Sequence, residues 1–166
     1  MELNEEDEAE IKALEKQSID EQLVEACEHG AFGMAKSLYE LGANISYHEK
    51  EDGLTALHYA CLNGHCDIVK WLIELGADVN VTDTYGRTAL HWAAYNGQIG
   101  AAQLLYDADA HVMAKSPKGQ TPYGFASNFN TGNDTVIHFF RRAVSRAPAN
   151  MPIDKPEVLQ QAPRRV

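Results

Sequence analysis

Four side chains capable of metal or thiol chemistry fall within nine positions: His58, Cys61, His65 and Cys66. Imidazole nitrogens and thiolates are the usual ligands of a structural zinc, which requires four of them converging on one point. A cysteine opening a helix is also a pattern of reactive thiols. The spacing does not favour zinc. His58 and Cys61 share one face of a helix, whereas His65 and Cys66 lie beyond a turn at Gly64. Neither C-x-x-C nor H-E-x-x-H occurs. Cys66 is the one thiol expected to be exposed, and with His65 it defines a rival reading as a thiol- or metal-responsive sensor. Phosphate-cradling glycine loops and the G-x-S-x-G nucleophile turn are absent. No catalytic residue, cofactor or metal is expected.

The chain that must position these residues has 166 residues, about one domain, and is 45% hydrophobic. No apolar run approaches the length of a membrane span; the run at Ile68–Leu75 is broken by Lys70 and Glu74. The acidic start MELNEEDEAE is unlike a secretory or transit signal, so a cytoplasmic or nuclear home is the expectation. Three cysteines, Cys27, Cys61 and Cys66, do not suggest a disulfide scaffold. The net charge of −10 is uneven: residues 1–30 carry 11 acids and 2 bases, residues 111–166 carry 3 acids and 8 bases. An acidic body repels phosphate backbones, so the expected partner is a protein, with a basic one favoured, and neither nucleic acid nor membrane.

Self-similarity organises the rest. Thr55-Ala56-Leu57-His58 recurs as Thr88-Ala89-Leu90-His91 and weakly as Thr121-Pro122-Tyr123-Gly124, each 33 residues on. Gly53, Gly86 and Gly119 keep the period, as do Gly64 and Gly97. Leu23 to Gly30 fits the same frame, displaced by one residue. Thr55 and Thr88 suit helix N-caps. Ile68, Val69, Leu72 and Ile73 have the spacing of a second helix, and Gly76 suits its left-handed end. Asp109 and Met113 replace Gly76 and Asn80 in the next copy, which predicts an irregular helix end there.

The 33-residue period, T-A-L-H-x-A and the closing G-A-D-V-N resemble the ankyrin repeat. That resemblance implies an all-α solenoid of helix-turn-helix units joined by β-hairpin-like loops. The repeats would span about 18–52, 53–85, 86–118 and 119–146, after an acidic helix or leader at 1–17 and before a Pro-rich disordered tail at 147–166. Ser18 to Glu21 reads as a capping box, and Phe139 and Phe140 are expected to pack inward from a last helix beginning near Thr135. Cys27, Cys61, Ala94 and Ser127 occupy one small-residue position, so the first two are expected to be buried. His58 and His91 become structural, bonded to backbone or to the repeat threonine.

The resemblance also implies a monomeric, non-catalytic protein-binding module (adaptor, inhibitor or dedicated chaperone) working through loop tips and the concave helix face; a structural spacer in a larger assembly is a further alternative. Positions the repeat leaves free are Asp52, Leu54, Leu62, Tyr85, Arg87, Tyr95, Asn96, Lys118, Gln120 and Phe129, joined by Tyr59 and Trp92 in the groove. Trp92 and Tyr59 are alternatively groove filler. Asn80, in the segment Asp78 to Val81, resembles the acceptor of an asparaginyl hydroxylase, beside a plain role bracing its loop.

Overall fold

The computed structural model describes residues 19–128 and 134–146. The expected leader, Ser18, Phe129 and the Pro-rich tail lie outside the described residues. Among the described residues eight helices follow in order: α1 (residues 19–28), α2 (Phe32–Glu40), α3 (Ala56–Asn63), α4 (Cys66–Glu74), α5 (Ala89–Tyr95), α6 (Ile99–Asp107), α7 (Pro122–Asn128) and α8 (Asp134–Arg146). The odd-numbered helices α3, α5 and α7 pack side by side, and α4, α6 and α8 form a second layer behind them. The protein is thus an all-α stack of helix pairs. Among the described residues, no helix is long and apolar enough to cross a membrane.

The inner helices start where the threonines stand. Thr55 and Thr88 have extended backbones, and each makes a capping box with the histidine three residues on. The outer helices bury one narrow stripe: Ile68, Val69 and Leu72 in α4, and Ala101, Ala102 and Leu105 in α6, all at 0% exposure. A single repeat cannot close this core, so stacking supplies it. Cys27, Cys61 and Ala94 are wholly buried between helices, whereas Ser127, their counterpart in α7, is exposed. Small side chains there allow α3 and α5 to approach, and the exposed Ser127 hydroxyl donates to the Tyr123 carbonyl one turn back.

Successive pairs interlock at two levels. At the helix-to-helix turns, Asn63 Nδ2 and His65 Nε2 both reach the Glu28 carbonyl at 3.0 Å, and Asn96 Nδ2 reaches that of Leu62 at 2.8 Å. At the loop tips, the Thr84 amide and hydroxyl both donate to the Asp52 carbonyl. The loops are hairpin-like only in outline. One antiparallel bridge, Thr82 with Thr88, is formed among the described residues, with no strand. The tip is a tight turn closed by Asp83 N to Arg87 O, repeated by Ser116 N to Gln120 O.

The last helix starts at Asp134. It buries Val136, Phe140 and Ala143, while Phe139 is half-buried against Tyr106. Asp109 takes the left-handed conformation (φ 62°) that Gly76 takes one repeat earlier, and the cap residue before it, Ala108, departs from the αR geometry of Leu75, so the helix end expected to be irregular is so.

Candidate functional site

His58, Cys61, His65 and Cys66 do not converge on one point. His58 is fully buried: its Nδ1 accepts the Thr55 amide at 3.1 Å, and its Nε2 lies 3.2 Å from the Arg87 carbonyl of the next loop. That pattern requires the neutral tautomer with the proton on Nε2. Burial lowers its pKa to about 4, against the opposing effect of the Arg87 hydrogen bond. His91 repeats the arrangement with Thr88 and the Gln120 carbonyl, and burial lowers its pKa as well. Each histidine therefore fastens its own helix cap to the following loop. Burial pushes the Cys27 thiol up to about 12 and raises that of Cys61 too, which keeps both protonated and inert. Cys66 is exposed. Among the described residues, no group of three or more His, Cys, Asp or Glu is placed to hold a metal ion.

A groove of about 510 Å³ opens instead between the third and fourth helix pairs. It gathers six of the expected contact residues: Tyr85, Arg87, Trp92, Tyr95, Lys118 and Gln120. Thr84 and Pro117 add the loop tips, and Ser116 and Phe125 add the floor.

Asp83 holds this groove in shape. Its side chain is 0% exposed, yet its carboxylate accepts four donors. Oδ1 takes the amides of Tyr85 and Arg87, both at 2.9 Å. Oδ2 takes Arg87 Nε at 2.6 Å and Trp92 Nε1 at 3.1 Å. A buried carboxylate is tolerated only when satisfied in this way. The Arg87 guanidinium lies 4.2 Å from the Trp92 ring centre and 4.6 Å from that of Tyr85, and Tyr95 stacks edge-on to Trp92 at 5.9 Å. Two aromatic rings remain open to solvent: Tyr85 is 56% exposed and Tyr95 37%. Arg87 lines the groove, but its charge is largely engaged by Asp83.

The other expected contacts divide. Leu54 is corrected: it is 4% exposed and belongs to the core. Its loop, one residue longer than the next, closes on itself there through Glu49 N to Leu54 O and Gly53 N to Glu49 O. Leu62 and Asp52 are half-exposed. Asn96 is exposed, but its amide group is used in bracing Leu62. Tyr59 is half-buried, and its hydroxyl donates to Glu49 Oε2 at 2.6 Å. Burial raises its pKa, and the negative charges of Glu49, Glu28 and Asp52 raise it further. Asn80 is half-buried; its Oδ1 accepts the His111 amide at 2.8 Å, tying its loop to the next. Asp83 was not foreseen. Its only sequence signal is an acid four residues before Arg87 and nine before Trp92, across a turn.

Stacked helix pairs whose turns and loop tips bond from one pair to the next define a helical repeat scaffold. The family model of ankyrin repeats (3 copies) matches residues 23–116, more than half of the chain. The chain belongs to the ankyrin repeat family, whose members generally serve as protein-protein interaction modules. No curated protein matches it.

Proposed function

We propose that the chain is a non-catalytic module that binds one protein partner, as an adaptor, inhibitor or dedicated chaperone, through the groove between α5 and the loop tips that flank it. The observation that carries this reading is the Asp83 pin. Tyr85 and Tyr95 are exposed, while Arg87 and Trp92 are locked behind them. Aromatic side chains fixed in advance lose little entropy on binding, and Trp, Tyr and Arg dominate binding hot spots. The negative charges of Glu28, Glu49 and Asp52, which act together on Tyr59, favour a partner carrying basic residues on that neighbouring face.

The test is recovery of partners from native extract with the wild-type chain and a Tyr85→Ala, Tyr95→Ala variant, after circular dichroism shows both folded. Arg87 is left intact because it belongs to the buried pin. Loss of one partner in the variant alone supports the groove. Equal recovery places the binding surface elsewhere. Asn80 is also proposed as a hydroxylation acceptor, since it is half-exposed at a loop. Absence of a one-oxygen mass gain on its peptide from the native source removes that idea.

A further inference from the structure

A second groove, of about 410 Å³, lies on the outer layer between α6 and α8, behind the proposed binding face. Its α8 wall presents His138, Arg142 and Arg146, one per turn, and its α6 wall presents Ile99 and Tyr106. All three basic side chains are exposed, and no ion pair among the described residues engages them. By contrast Arg87, Lys50 and Lys70 are each paired with a carboxylate. Among the described residues, no carboxylate lines this groove, in a chain of net charge −10.

Ile99 is 37% exposed, and Phe139 and Tyr106 meet edge to face at 6.0 Å, so the groove has an apolar surface beside its basic side chains. Residues four apart on a helix rise by about 6 Å. Alternate residues of an extended chain are about 6.6 Å apart and point the same way. We infer that this outer groove binds an acidic, extended segment of a partner protein, its alternate carboxylates facing His138, Arg142 and Arg146 and its intervening apolar side chains facing Ile99 and Tyr106. The site is independent of the concave groove and does not rest on the function proposed for it.

The probe is a fluorescent synthetic peptide of about nine residues, alternating glutamate and leucine, titrated into the full chain. A lysine-for-glutamate peptide and a serine-for-leucine peptide serve as comparisons. The glutamate–leucine peptide is expected to bind best, with Arg142→Glu, Arg146→Glu weakening it by about tenfold or more. Lys36→Glu, Lys70→Glu, with the same net charge on the outer face of other helices, is expected to change it less than about twofold. Circular dichroism confirms that each variant is folded, and amide shifts in the labelled protein are expected at Gln103, Tyr106, His138 and Arg142. Equal loss in both charge variants, no loss in the α8 variant, shifts confined to Tyr85 and Trp92, or an RNA oligomer displacing the peptide at lower concentration would each overturn the assignment.

Discussion

Asp83 and Trp92 are joined across a loop tip by a 3.1 Å hydrogen bond from the indole Nε1 to a carboxylate with no solvent exposure. The same carboxylate holds Arg87, so the shape of the groove depends on one acidic side chain. Removing one partner of a buried charge pair leaves the other unpaired. Asp83→Ala is therefore expected to cost about 3 kcal/mol, and Asp83→Asn less, because the amide oxygen can still accept. Urea unfolding measures the loss. Trp92 emission, read in a Trp71→Phe background, should shift as the ring is released. A stable Asp83→Ala protein with unchanged emission would sink the idea of a pin.

Gly86 is needed for two separate reasons. Its φ is +65°, and a Cβ there would lie 2.6 Å from Pro117 Cδ in the next loop. Gly76 has φ +85° but open space around it. Gly76→Ala should cost about 1 kcal/mol from the backbone alone. Gly86→Ala should cost clearly more, and adding Pro117→Ala should recover the excess. Equal urea midpoints for the two alanine variants would show that the loop tips are not in firm contact.

Much of this architecture is legible in the chain because repetition turns each residue into a comparison. The 33-residue spacing assigns Leu57 and Leu90 to one buried position, marks Cys61 as a small core residue, and exposes Asp109 as a substitution for glycine. What escaped are features created between copies. Leu54 looked free because the repeat does not prescribe it, yet its longer loop turns it into the core. Asn96 looked available, but its amide spans to the previous pair. Asp83 reads as an ordinary loop acid until the turn brings Arg87 and Trp92 onto it. The outer groove needs α6 and α8 side by side; the period implies that stacking but does not single out which side chains of α8 face the gap.

The helix end at Asp109 carries a cost that its counterparts avoid. Its φ of 62° is left-handed, where a side chain is crowded, although aspartate tolerates it better than most residues. Asp109→Gly should raise stability by about 0.5 kcal/mol, after allowing for the greater freedom glycine gives the unfolded chain. The reciprocal Gly76→Asp should lower it. A decrease for Asp109→Gly would mean that the carboxylate makes a contribution exceeding its backbone cost.

The two buried histidines fix how stability responds to mild acid. Above the ordinary histidine pKa of 6.5, His58 is neutral in both folded and unfolded chains, and its hydrogen bonds hold α3 to the next loop at full strength. As pH falls below 6.5, the unfolded chain takes up a proton that the native site refuses until about pH 4. Stability is therefore lost across that window, by about 1.4 kcal/mol per pH unit for His58, with His91 acting in the same direction. Between pH 6.5 and 5 most carboxylates remain ionised, so the histidines should dominate, and His58 alone should cost about 2 kcal/mol. Urea midpoints at pH 7, 6 and 5 measure this. A His58→Gln, His91→Gln variant should begin less stable, because glutamine cannot reproduce both bonds, but should show a much flatter pH response. A wild-type midpoint constant from pH 7 to 5 would mean that these histidines are not held neutral, and the capping-box geometry at Thr55 and Thr88 would then need another source of strength.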